Sequence, residues 1–342
     1  MRKTARPLLS LCMSLLAGLP LSAHAACTVN DKLVNSCRPW FAVAAGGYTE
    51  APNGTKGQIT YFEQRAGRQV DIVHTYHRPN KDALTEDELY FINRPNTYLA
   101  TTWKPAKLWQ DAGGSNAETN AHIDHMAQSI KAVAPKKIFL TVFHEPENDV
   151  TGGGTNCPAN IYKGKAGTPE EYRAMWRNIR NRFDAQHVTN VVWVMNYMGF
   201  KKWDCLVDDL WPGNDLVDWV VWDPYEHQHA QWPESPMRLY NFLTQHSNAQ
   251  HDYLSKPWGI METGVIGPQT LAVQQYADMK ASLDNNTMPR LKMLAIWDDY
   301  TANSKDIRLG YDSETHQPDT VKQKAFNAYF NDPRFTDTFY EK

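Results

Sequence analysis

The chain has 342 residues, a formal net charge of -3 and 21% charged residues, a near-neutral balance that does not suggest a basic nucleic-acid-binding stripe. Aromatic residues make up 12%, with 12 Trp and 16 Tyr, and no Pro- or Ser-rich linker, repeat or low-complexity tract divides the sequence. This length accommodates two domains or one α/β barrel, and the composition does not ask for a split.

Taken in chain order, Arg2, Lys3 and Arg6 precede an apolar run from Leu8 to Leu21 that closes on Ala23-His24-Ala25. This is the pattern of a secretory signal: the run is too short for a permanent span, and cleavage is expected after Ala25. A lipoprotein acylated on Cys27 is the alternative, although His24-Ala25-Ala26 poorly resembles a lipobox. Residues 1–25 are therefore read as a signal peptide and residues 26–342 as one domain, secreted or periplasmic. No later segment is apolar enough to span a membrane, so no integral membrane segment is expected once the signal is removed.

Cys12 leaves with the signal, and Cys27, Cys37, Cys157 and Cys205 remain in an oxidising compartment that favours disulfides. Three pairings are open in principle. Closeness in sequence favours Cys27 with Cys37, which leaves Cys157 with Cys205. A zinc site competes with this reading, but no two of these residues have C-x-x-C spacing.

Eight apolar runs rich in Val, Ile, Trp and Tyr follow, read as strands at Trp40–Ala45, Val70–Tyr76, Tyr98–Trp103, Ile138–Phe143, Asn190–Asn196, Val217–Trp222, Trp258–Glu262 and Leu291–Trp297. Amphipathic helices lie between them. Ile123, Met126, Ala127 and Ile130 share one helical face, as do Tyr172, Met175, Trp176, Ile179 and Phe183 behind a Thr168-Pro169-Glu170-Glu171 capping box, and Ala272, Tyr276, Met279 and Leu283. The alternation predicts a single (β/α)8 TIM barrel. An open doubly wound sheet is disfavoured because no Gly-rich phosphate turn follows the first strand.

Catalytic residues of such barrels sit where strands end. The fourth run breaks into His144-Glu145-Pro146-Glu147-Asn148, and the seventh ends in Met261-Glu262-Thr263-Gly264, where a small residue leaves a ligand room to approach. A pair of carboxyls across a barrel mouth suits glycoside cleavage: one protonated to assist the leaving oxygen, one ionised to attack the sugar carbon. For either Glu alone, a salt-bridged barrel residue is the plainer reading.

These residues resemble clan A glycoside hydrolases and, within the clan, glycoside hydrolase family 26. The likeness covers most of the chain and rests on His144-Glu145, Asp223-Pro224-Tyr225 after the sixth strand, Glu262, Trp297 ending the eighth strand, and the segment from Gly167 to Asn196. It implies Glu145 as acid/base, Glu262 as nucleophile, Tyr225 as a hydrogen-bond partner of the nucleophile and Trp297 as the floor under the cleaved sugar. Two departures stand out. Family mannanases commonly carry an aromatic beyond the acid/base, where this chain has Asp149-Val150-Thr151-Gly152-Gly153-Gly154, and an Arg after the strand-eight Trp, where it has Asp298. β-Mannan is the leading expectation, with β-glucan, β-xylan and bacterial exopolysaccharide as alternatives.

The full candidate set is Glu145 and Glu262 for catalysis, and His77, Trp103, His144, Asn148, Asn196, Asp223, Tyr225, Trp297 and Asp299 for substrate. His74 with His77, and His122 with His125, have a spacing that suits metal ligation as well as cleft lining or exposed polarity. No metal or cofactor is expected. Trp109, Trp203, Trp211 and Trp232 are loop aromatics that either stack on sugar or pack their loops. Glu147, two residues beyond Glu145, could be confused with the catalytic acid but lacks its place directly at the strand end, and Glu226 and Asp299 read as polar cleft-lining groups or exposed charges. The expectation is a monomeric, secreted, retaining endo-β-glycosidase acting on a polysaccharide. A catalytically silent carbohydrate-binding barrel and a metal-dependent barrel hydrolase are the competing classes.

Overall fold

Eight strands alternate with helices along the chain: β1 (Trp40–Ala45), α1 (Thr55–Ala66), β2 (Ile72–His77), α2 (Glu86–Asn93), β3 (Tyr98–Trp103), α3 (Ala117–Lys131), β4 (Ile138–Val142), α4 (Pro169–Ala185), β5 (Val191–Tyr197), α5 (Asp204–Val207), β6 (Trp219–Trp222), α6 (Glu234–His246), β7 (Trp258–Ile260), α7 (Gln269–Asp284), β8 (Leu291–Asp298) and α8 (Thr320–Phe330). Each strand pairs in parallel with its sequence neighbours, and β8 returns to β1 to close the barrel. This computed structural model describes residues 27–79, 81–301 and 305–336. The expected signal segment lies outside the described residues, and among them no helix is long and apolar enough to cross a membrane.

Strand periodicity separates two apolar cores. Side chains of one parity, including Ala42, Ile72, Ala100, Phe139, Val194, Trp219, Val221, Met293 and Ala295, fill the barrel interior. Those of the other parity, such as Phe41, Val43, Leu99, Trp103 and Leu140, face the helices. The three helical faces read from sequence are the ones that pack there, and Leu283 alone among them is only partly buried. Around Phe41, the rings of Phe326, Phe330 and Phe335 lie at 6.2, 4.4 and 5.2 Å, pressing α8 and the short helical turn Pro333–Thr336 after it against β1. Full burial of each such ring contributes roughly 1.5–3 kcal/mol.

The helix starts follow local rules. Thr168 and Glu171 form the expected capping box ahead of Pro169. A second box, Thr85 with Glu88, opens α2.

Below the strands, the segment before β1 plugs the barrel. Leu33 enters the interior core, its carbonyl accepts from Trp40 Nε1 at 2.6 Å, and the Lys32 carbonyl accepts from Trp219 Nε1 at 2.6 Å. Cys27–Cys37 staples this plug, and Cys157–Cys205 ties the long loop after β4 to α5, so both disulfides form in the pairing favoured by sequence closeness.

Several strand limits differ from expectation. The second strand begins at Ile72 and runs to His77. The fourth stops at Val142 because Phe143 adopts φ 54°, outside the strand region. The seventh is only Trp258–Ile260, beside a register shift at Trp258/Gly259.

Candidate active site

The interior parity carries up to the mouth. Continuing Ile72 by twos gives His74 and Tyr76, Ala100 gives Thr102, Val194 gives Asn196, Val221 gives Asp223 and Ala295 gives Trp297. Apolar residues at the middle of each strand thus become polar or aromatic ones at its C-terminal end.

Glu145 reaches this mouth through backbone geometry of its own. Phe143 and Glu145 both have positive φ, 54° and 51°, which costs of order 1–3 kcal/mol for each non-glycine residue. The turn is held in place: Phe143 N–H donates to the Trp103 carbonyl at 2.9 Å, and Glu145 N–H to the Asn196 carbonyl at 3.0 Å. Tyr172 Oη donates to the Val142 carbonyl at 3.2 Å, satisfying the strand end where the chain leaves the sheet. Pro146 then opens a 3-10 turn, Pro146–Asp149.

Glu262 arrives from β7. Met261 fills the interior, and because the strand has ended at Ile260, Glu262 one residue later still reaches the mouth. Its two oxygens are each taken by a phenol, Oε1 by Tyr76 at 2.6 Å and Oε2 by Tyr225 at 2.7 Å. Asp223, fully buried, accepts from Asn196 Nδ2 at 2.8 Å. One oxygen from each of Glu145, Asp223 and Glu262 lies within 4.8 Å of the others.

Three carboxyls this close in a buried site cannot all be ionised. Burial, followed by repulsion from Glu262, holds Glu145 well above the usual carboxylate range. Burial and the charges of Glu262 and Glu145 do the same to Asp223. Burial raises Glu262 as well, but the two tyrosine donors pull it back. Of the three, Glu262 is the one whose two oxygens are both held by hydroxyl donors, which favours its ionised form over those of Glu145 and Asp223. Burial also drives His74 and His144 down to about 3, so both imidazoles are neutral.

The arrangement brings a carboxyl of raised proton affinity, Glu145, and a carboxylate held by two hydroxyl donors, Glu262, close together, with one oxygen of each within 4.8 Å of the other. As a donor set for a cation, the cluster would have to compete with two hydroxyls already seated on Glu262.

The cluster opens into a cavity of about 750 Å³ lined by Tyr76, His77, Arg78, Lys104, His144, Asn148, Phe200, Tyr225 and Trp297, among others. A second cavity of about 470 Å³ shares Tyr76, His77 and Trp297 with it and includes Asp299. Trp297 stands at the junction, its Nε1 donating to the Tyr300 carbonyl at 3.0 Å. Asp299 depends on Gly46, where a Cβ would lie 2.1 Å from Asp299 Oδ2.

Of the expected substrate residues, His77, His144, Asn148, Tyr225 and Trp297 line the main cavity, Asp299 lines the second, and Asp223 is itself one of the three clustered carboxyls, held by Asn196. Trp103 does not take part. It ends β3 on the outward parity and is 0% exposed among core side chains, so no sugar can reach it. Trp109, Trp203, Trp211 and Trp232 are likewise buried in their loops.

Glu147 is no cleft residue either: it is buried and accepts from the Met198 and Gly199 N–H groups at 3.0 and 3.3 Å. Glu226 is buried and takes the Thr263 hydroxyl at 2.6 Å. Asp298 points away from the mouth, accepting from Tyr48 Oη at 2.6 Å and from the Leu309 N–H. Gly264 is small because of Ile307, whose Cδ1 would lie 2.4 Å from an added Cβ.

The histidine pairs do not converge as ligand sets. His74 meets Thr102 and Tyr76, while His77 Nε2 sits 2.7 Å from Glu88. His122 and His125 both turn to Asp82, at 2.6 and 3.2 Å. Sequence reasoning missed Tyr76, Lys104 and Phe200. For Tyr76, the signal was its parity with Ile72; for the other two, loop positions gave none.

The glycosyl hydrolase family 26 model matches residues 95–293, more than half of the chain. The chain belongs to this family. Endoglucanase H of Acetivibrio thermocellus is 28% identical over 191 residues, which cover 50% of this family 26 chain but 18% of that protein. The chain thus spans under a fifth of that curated relative's length.

Among solved structures, a family 26 β-mannanase from Bacteroides ovatus has a TM-score of 0.59 at 17% identity, covering 89% of this chain and 92% of that one. A ruminal family 26 endo-β-1,4-mannanase gives 0.58 at 12%, covering 89% and 66%. The catalytic domain of a Bacillus sp. endo-β-1,4-mannanase gives 0.59 at 14%, covering 87% and 86%. At these identities the likeness speaks for the barrel alone.

Proposed function

We propose that residues 26–342 form a single catalytic barrel of a secreted, monomeric, retaining endo-β-glycosidase that cleaves a β-linked polysaccharide by double displacement. The observation that carries this reading is the placement of Glu145 and Glu262 with carboxyl oxygens within 4.8 Å, and with two tyrosine donors on Glu262 and none of that kind on Glu145.

In the first step, Glu262 attacks the anomeric carbon while Glu145 protonates the departing glycosidic oxygen, leaving a glycosyl ester on Glu262. As the Glu262 charge disappears, the repulsion that raised Glu145 falls away. Glu145, now ionised, takes a proton from water, which attacks the ester and restores both groups. Tyr76 and Tyr225 keep Glu262 anionic and oriented, and His144 packs beside Tyr76 with ring centroids 5.6 Å apart. Trp297 and Phe200 offer the aromatic faces on which sugar rings stack.

β-Mannan is the leading substrate, in keeping with the names of the structural neighbours. β-Glucan comes second, because the relative with the higher sequence identity bears the name endoglucanase. Export agrees with the two disulfides.

The deciding experiment incubates the purified chain with β-mannan, β-glucan, xylan and bacterial exopolysaccharides, reads reducing-end release, and follows the anomer first formed by NMR. Early β-anomer from internal cleavage is expected. An early α-anomer would overturn retention, and no release from any polymer by wild-type protein would favour the silent barrel.

A further inference from the structure

One feature of the main cavity is unused by this chemistry. The register of β2 and β3 pairs His77 with Trp103, so the next residues, Arg78 and Lys104, stand side by side where the two strands leave the barrel. The Lys104 N–H donates to the His77 carbonyl at 3.0 Å, carrying the ladder up to this pair. Neighbouring strands run about 4.8 Å apart, and like charges placed opposite each other repel. Both side chains nevertheless line the cavity that holds Glu145 and Glu262.

Lys104 has a loose partner, Asp149, at 3.4 Å. Arg78 is exposed, and no ion pair engages it among the described residues. Asp149 does not line the cavity, and among the described residues the only carboxylates on its wall are the two that carry the proposed reaction. The adjoining cavity, by contrast, sets Lys81 against two carboxylates, Glu88 and Asp299. The excess positive charge is confined to the β2–β3 rim.

Resting on the glycosidase reading above, we infer that the β2–β3 rim is a subsite for a carboxylate borne by the polysaccharide, a uronic acid unit or an acidic substituent, with Arg78 as its main contact and Lys104 as support. A guanidinium offers a carboxylate two parallel N–H donors, and its placement beside a second cation is relieved when an anion binds between them. The rim would thus select among β-linked polymers by charge, independently of the bond that is cut.

The test compares kcat/KM on a neutral β-mannan or β-glucan with that on the same polymer partly oxidised at C6 to uronate. Wild-type protein is expected to favour the oxidised polymer by about tenfold, the effect of one charge-assisted contact, and to lose most of the preference in about 0.5 M NaCl. Arg78→Gln should bring the ratio near one, and Arg78→Glu should invert it. A ratio at or below one for wild type, or one that Arg78→Glu leaves unmoved, overturns the inference while the hydrolase reading stands.

Affinity electrophoresis of Glu262→Gln protein in gels containing either polymer separates the two failures. Selective retardation by the oxidised polymer upholds the rim even if no polymer is hydrolysed, and equal or absent retardation refutes it.

Discussion

Tyr76 and Glu262, 186 residues apart in sequence, share a 2.6 Å hydrogen bond across the barrel mouth. With Tyr225 on the other oxygen, this contact opposes the rise in proton affinity that burial imposes on Glu262. Tyr76→Phe or Tyr225→Phe removes one donor, so Glu262 should bind its proton more tightly. The acidic limb of kcat/KM should move to higher pH, because a nucleophile must be ionised. Loss of one hydrogen bond to a charge should lower kcat/KM by about 10–100-fold at neutral pH. A pH profile with an unmoved acidic limb would remove the tyrosines from this role.

Glu262→Ala should reduce kcat by at least about 10⁴-fold while oligosaccharide binding persists. Azide or formate should restore part of the turnover and give an α-glycosyl product, identified by NMR. Hydrolysis at the wild-type rate would end the nucleophile assignment.

For Glu145→Ala, the leaving group decides the size of the effect. Polysaccharide cleavage should fall by about 10²–10⁴-fold, whereas aryl glycosides with acidic phenols should lose far less in the glycosylation step. Equal losses on both substrates, measured by steady-state and burst kinetics, would contradict an acid role.

The buried carboxyls outside the cluster make stability depend on pH. Burial pushes Glu147 up to about 7, Glu226 up to about 8 and Asp298 up to about 7. Each holds its proton more firmly folded than unfolded, where values near 4 apply. Their stabilisation is complete below about pH 4 and is lost as the pH rises through 7–8. Calorimetry should show Tm falling by about 5 °C or more between pH 5 and pH 8. Glu226→Gln, which keeps an acceptor for Thr263, should give a shallower fall, and an identical slope would exclude Glu226 as a cause.

Of the two disulfides, the longer loop should matter more. The sequence separations are 10 for Cys27–Cys37 and 48 for Cys157–Cys205. Loop-closure entropy then assigns about 3 and about 4 kcal/mol respectively. Denaturant unfolding of the two double Cys→Ala variants should rank them in this order.

Much of this was legible because a closed parallel barrel leaves a strong mark: strands buried on both faces read as unbroken apolar runs, and β1 and β3 coincide with their runs from first residue to last. The ends are harder, since they depend on single torsions such as φ 54° at Phe143, which no periodicity announces. At the site, parity settles what residue type alone does not. Trp103 looked suited to stack on sugar, yet one step along the strand separates it from inward Thr102 and sends it to the core. Beyond the strands parity lapses, and so Glu226 turned from cleft candidate into buried partner of Thr263 while exposed Phe200 passed unnoticed.

The plug beneath the barrel also bears on the order of assembly. Its ten-residue cysteine loop is local and can close as soon as that stretch is free, but one of its seats, the Trp219 indole, lies 187 residues further along. In a chain that emerges from its N-terminus, the stopper is made before the vessel. Whenever its disulfide closes, its seat on Trp219 is filled only once the sixth strand has been made.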